Sequence, residues 1–64
     1  MELFNTTGFD IQDKVFVILD EKKYFGTVIE VDGRLDRIKV DYTAKSERKP
    51  AIDWFQKSYW SKII

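Results

Sequence analysis

Residues Lys14 to Tyr42, KVFVILDEKKYFGTVIEVDGRLDRIKVDY, constrain this chain most, because they read as three short strands joined by polar turns. Between Arg37 and Tyr42 the alternation is clean: Ile38, Val40 and Tyr42 fall on one side, and Arg37, Lys39 and Asp41 on the other. Side chains of a strand point alternately to its two faces, so this pattern predicts a half-buried antiparallel strand. Two further strands are predicted before it, Lys14–Leu19 and Tyr24–Val31. Gly26 lies inside the second, where a missing side chain lets a strand bend or another backbone approach closely. A bulge near Glu30 is expected to return Val31 to the core side.

The connections fit the same layout. Asp20-Glu21-Lys22-Lys23 forms a charged hairpin turn, and Asp32-Gly33 opens a longer loop that runs to Asp36. In the first strand Val15, Val17 and Leu19 share one face and Phe16 and Ile18 the other. Both faces are therefore apolar, and the strand is expected to lie under the N-terminal segment. Residues 1–8 read as a loose lead-in and 9–64 as the folded domain, with Phe4 or Phe9 turning back over one end. After Tyr42, Thr43–Pro50 has no apolar period and reads as a surface loop. Ile52–Phe55 alternates again as a fourth strand. Gln56–Tyr59 is expected to form a tight, 3₁₀-like turn, and Trp60–Ile64 a short fifth strand or capping segment. The expected fold class is all-β: a small five-stranded SH3-like barrel with a short helical turn before the last strand.

A chain of 64 residues supports one domain, and at this length only ~60% of the unfolded surface is buried. With no cysteine, neither a disulfide nor a thiolate metal site reinforces it. Five Phe, three Tyr and two Trp supply large apolar area instead. Histidine is also absent, so the commonest general base, thiol nucleophile and metal ligands are missing together. No carboxylate pair stands out, and the three glycines are too scattered to cradle phosphate. The expectation is a non-enzyme without cofactor or metal. Eleven Lys and Arg balance eleven Asp and Glu, which argues against wrapping nucleic acid by bulk charge. No apolar run approaches the ~20 residues of a membrane span, and no secretory signal is visible at the N-terminus. An intracellular, monomeric domain of a larger protein fits these features.

Tyr24 begins the second strand and Tyr42 ends the third, so antiparallel pairing puts both rings at one rim. Leu19 and Asp20, at the end of the first strand, lie beside Tyr24 across the hairpin. Two tyrosines and a carboxylate suit a cationic ligand, through ring faces and charge complementarity. The other reading has both rings capping the core, and both readings stand at the level of sequence.

The segments FDIQDKVFVIL, YFGTVIEV, RIKVDY and AIDWF resemble the chromo barrel and Tudor-like modules of chromatin proteins. The family pattern is matched at Val15 and Val17, then at Tyr24, Gly26, Val28 and Val31, then at Val40-Asp41-Tyr42 and Ile52-Asp53-Trp54. It covers Phe9 to about Trp60. Such modules bind methylated lysine on histone tails in a cage of aromatic rings. The resemblance thus implies a nuclear recognition module with Tyr24 and Tyr42 in the cage, Leu19 or Asp20 at its first-strand position, and Trp54, Tyr59 or Trp60 as a further wall. Two family cage positions lack a ring here, one at Leu19 or Asp20 and one at Ala51. Relatives of this barrel also bind RNA or DNA, and the chain faintly resembles KOW-type barrels. The alternative is therefore a nucleic-acid-binding barrel using Lys45, Arg48 and Lys49, or a protein-docking barrel without a methyl-lysine pocket.

Overall fold

The computed structural model describes residues 7–43 and 50–63. They form one antiparallel sheet of five strands: β1 (Lys14–Leu19), β2 (Lys22–Asp32), β3 (Arg37–Asp41), β4 (Ile52–Gln56) and β5 (Ser61–Lys62). A single 3₁₀ turn, Lys57–Tyr59, precedes β5. The spatial order is β4-β3-β2-β1-β5, so β4 and β5 are the two edges and the hydrogen-bonded sheet is open. Among the described residues, no helix is long and apolar enough to cross a membrane.

Register follows the alternation of the sequence. Val15 pairs with Gly26 and Val17 with Tyr24; Val28 pairs with Val40 and Val31 with Ile38; Ile38 pairs in turn with Phe55. The pairing shifts between Val28 and Glu30, which is the expected bulge. Without that extra residue, Val31 would point to the opposite side of the sheet from Ile38. The inner face carries the core: Phe9, Val15, Val28, Ile38, Val40 and Trp60, with Val17, Val31, Tyr42 and Phe55 packed against it.

Gly26 is needed where it stands. A Cβ there would overlap Cγ1 of Val40 and lie 3.3 Å from the Asp41 carbonyl oxygen and 3.5 Å from Cη2 of Trp60. The close approach expected of this residue is thus made by β3 and by the indole.

The β1–β2 hairpin is tighter than the sequence suggests. Leu19 pairs with Lys22, which leaves Asp20 and Glu21 as a two-residue turn with φ of 50° and 66°. Positive φ at both positions is the geometry whose twist matches the flanking strands, and it favours Asn and Gly. In the next loop the positive φ falls at Asp36 (53°), and Gly33 does not supply it. Asp32 Oδ1 accepts the backbone N–H groups of Arg34 and Leu35 at 3.0 and 3.2 Å, so the side chain rather than the glycine closes the turn.

At the N-terminal end Thr7 is buried, and its Oγ1 accepts the Phe9 N–H at 3.1 Å. This segment packs Phe9 onto the inner face, not over the outer face of β1. Ile18 is consequently 60% exposed. Phe16 is half-buried, with Lys23 Nζ 4.6 Å from its ring centroid, so the lysine stem covers it; Phe4 lies outside the described residues.

Candidate functional site

Curvature of the sheet and the 3₁₀ turn together form an aromatic cleft. Its walls are Val17, Leu19, Tyr24, Tyr42, Phe55, Tyr59 and Trp60, and its volume is about 260 Å³. The apolar parity of each strand brings Val17 and Leu19 from β1 and Phe55 from β4 to the inner face. The 3₁₀ turn then folds Tyr59 back over Phe55. Those two rings stack with centroids 5.1 Å apart and planes 13° from parallel. Trp60 meets Phe55 edge-on at 5.4 Å and Tyr59 at 5.9 Å. Tyr42 closes the group, 5.8 Å from Phe55 and 6.2 Å from Trp60. Tyr24 lines the same cleft without joining this ring cluster.

Among the described residues, no charged side chain is among the walls. The nearest electrostatic link is indirect: Tyr42 Oη donates to Asp53 Oδ2 at 2.5 Å, in a half-buried setting. A phenol that donates to a carboxylate gains electron density on its ring, which strengthens its attraction for a cation. Trp60 is 4% exposed, and its indole N–H has no hydrogen-bond partner. That is an unsatisfied donor of a kind that folded proteins rarely retain.

The rim residues predicted from sequence come together in part. Tyr24, Tyr42 and Leu19 line this one cleft. Asp20 is not among its walls; it stands exposed at the first position of the hairpin turn. Trp54 is on the opposite, outer face. The pairing of Ile38 with Phe55 turns Phe55 and Asp53 inward, and so turns Trp54 outward opposite Lys39. There it is 39% exposed, with Lys39 Nζ and Arg37 Cζ 5.7 and 5.8 Å from its ring centroid. Ala51 is wholly buried. Phe55, which carried no signal in the sequence, supplies a wall of the cleft. Lys45, Arg48 and Lys49 lie outside the described residues.

A larger depression of about 540 Å³ lies around Lys14, Phe25, Thr27, Asp41 and Ile63. Its polar groups are already engaged: Lys14 Nζ donates to Thr27 Oγ1 at 2.9 Å, and Asp41 Oδ1 accepts the Thr43 N–H at 3.0 Å. Hydrogen bonds from the Thr43 side chain and backbone hold the Asp41 carboxyl below its ordinary value. Among the described residues no group of His, Cys, Asp or Glu could hold a metal ion.

No protein-family model matches the chain, and no curated protein and no solved structure matches it significantly.

Proposed function

We propose that the chain is a non-catalytic recognition module whose aromatic cleft takes a cationic side chain, that of a methylated lysine on a histone tail or other chromatin peptide. The observation that carries this reading is the convergence of Tyr24, Tyr42, Phe55, Tyr59 and Trp60 on a single cleft. A methylammonium group is a cation with an apolar skin. Ring faces attract its charge, while the same rings and the Val17 and Leu19 walls accept its methyl groups. The volume is below the ~300–1,000 Å³ of sites for drug-sized ligands, and so suits one side chain. Asp53, acting through Tyr42, takes the electrostatic part that Asp20 was expected to play.

The strand order, the bulge in β2 and the 3₁₀ turn before a short last strand support an SH3-like barrel of the chromo barrel or Tudor type, and with it a nuclear, chromatin-associated setting. The test is calorimetric titration with a trimethyl-lysine histone peptide and its unmodified counterpart. Tyr24 is half-buried and outside the core cluster, so Tyr24→Ala should abolish binding while leaving the amide spectrum folded. Unchanged affinity in that variant refutes the proposal.

A further inference from the structure

We infer that the free edge of β4 docks an extended segment of a partner protein, which adds a sixth strand to the sheet and sets an acidic side chain opposite Trp54. The inference does not depend on the aromatic cleft.

The geometry of the ladder defines the edge. The Tyr42 N–H donates to the Ala51 carbonyl at 2.9 Å, and the Lys57 N–H to the Asp36 carbonyl at 3.0 Å. These two bonds bracket the β3–β4 register, in which Val40 pairs with Asp53 and Ile38 with Phe55. Backbone groups of an antiparallel strand point alternately to its two sides. Asp53 and Phe55 therefore bond to β3, and Ile52, Trp54 and Gln56 direct their N–H and C=O groups away from the sheet. Among the described residues, none of those three has another backbone partner. Natural sheets blunt such edges with short strands, lysine, proline or bulges. The other edge, β5, follows this rule with two residues and Lys62. β4 has five residues and neither lysine, proline nor bulge; its one charge, Asp53, is turned inward and bonded to Tyr42.

Charge selects the occupant. On the outer face β4 presents Ile52, Trp54 and Gln56, all uncharged. Lys39 and Arg37 reach across from β3 and lean over the Trp54 ring toward the free edge. Glu30 offsets Lys39 at 3.5 Å from the far side. Among the described residues Arg37 makes no ion pair, and its Nε is buried without a partner there. A carboxylate on an added strand, opposite Trp54, would meet the positive edge of the indole with both cations behind it. A basic segment would be repelled. A second copy added β4 to β4 would offer only Ile52, Trp54 and Gln56 on the outer face, and no carboxylate for these cations.

The test is an amide-shift titration of the labelled full chain with a capped heptapeptide, Thr-Val-Thr-Glu-Thr-Val-Thr, and with its Glu-to-Lys counterpart. Saturable shifts at Ile52, Trp54 and Gln56 with the Glu peptide are expected, with affinity about tenfold weaker for the Lys peptide. Gln56→Pro is the decisive variant. Gln56 has φ −63°, the value proline imposes, and its N–H is not used by the fold. The variant should keep its melting temperature and spectrum, yet bind the Glu peptide about three- to tenfold more weakly. Tyr24→Ala should bind it unchanged. Absence of saturable shifts, equal binding of both peptides, or full affinity in folded Gln56→Pro each overturns the inference. Concentration-dependent shifts at the same amides without peptide would replace it with self-association.

Discussion

Gly26→Ala tests the packing on which both faces of the sheet depend. The new methyl group would overlap Cγ1 of Val40, a side chain with no exposed surface, and would press on the Asp41 carbonyl at 3.3 Å. Neither neighbour can give easily: one is enclosed in the core and the other is backbone held in the ladder. Overpacking of this kind costs about 1–3 kcal/mol. Gly26 does not have positive φ, so alanine is conformationally acceptable and regains about 0.4–1 kcal/mol by restricting the unfolded chain. The net expectation is a loss of about 1–2 kcal/mol. At roughly 0.05–0.15 kcal/mol per residue, that is a substantial part of the stability of so small a domain. Urea denaturation followed by tryptophan fluorescence and circular dichroism should show a lower midpoint with an unchanged slope. The melting temperature should fall by about 4–8 °C per kcal/mol. The double variant Gly26→Ala/Val40→Ala supplies the control. Removing the Val40 methyls makes room for the new one, so the combined loss should fall short of the sum by about 1 kcal/mol. A single variant as stable as the parent, or strict additivity in the double variant, refutes the argument from close approach.

Two further expectations follow from the turns and the termini. Glu21 has φ 66° in the β1–β2 turn, so Glu21→Gly should stabilise the domain by about 1 kcal/mol, read as a higher urea midpoint; a lower midpoint contradicts the turn geometry. The Asp13 carboxyl is held below its ordinary value, first by the Asp10 backbone N–H at 2.8 Å and then by Lys62 at 3.1 Å. A depressed folded-state pKa stabilises at pH above the unfolded value of about 3.9, and that contribution fades as pH falls through the folded one. Asp13→Asn should therefore flatten the acid limb of a stability–pH profile, and an unaltered limb would show that the pairing adds nothing.

The elements were legible wherever local chemistry and sheet register agree. β3 follows from the alternation of Arg37–Tyr42, β1 from a short apolar run rich in β-branched residues and bounded by polar turns, and the bulge from the need to bring Val31 back beside Ile38. Gln56–Tyr59 reads as a turn because its polar residues interrupt the period of two. The side on which β4 displays its residues was not legible, because Ile52-Asp53-Trp54-Phe55 has an aromatic in each parity. A burial argument puts Ile52 and Trp54 inside and leaves Asp53 out. Pairing with β3 reverses this, and Asp53 is accommodated inward because Tyr42 donates to it. That hydrogen bond is the signal available in the sequence: a tyrosine at the end of a core-facing strand needs a polar partner when it is half-buried. Asp20 is not among the cleft walls, because the hairpin closes in two residues and Asp20 is the first of them.

In this chain the core and the cleft share their residues. Tyr42 and Phe55 pack against the core cluster, and Trp60 belongs to it while also forming a wall of the cleft. A loss of binding on truncating any of these three is ambiguous, since the same change removes apolar contacts from a core with few members. Tyr24 and Tyr59 are different. Neither is in the core cluster, and Tyr59 is 43% exposed while stacked on Phe55. Both line the cleft, so they are the positions at which the proposed recognition can be tested apart from folding. Trp54 makes the corresponding separation on the outer face: its ring touches the cations of β3 and not the core, so changes there perturb the edge of β4 without disturbing the cleft. A sheet one residue thick thereby carries two surfaces that can be altered independently. Parity along β4 assigns Phe55 to one and Trp54 to the other.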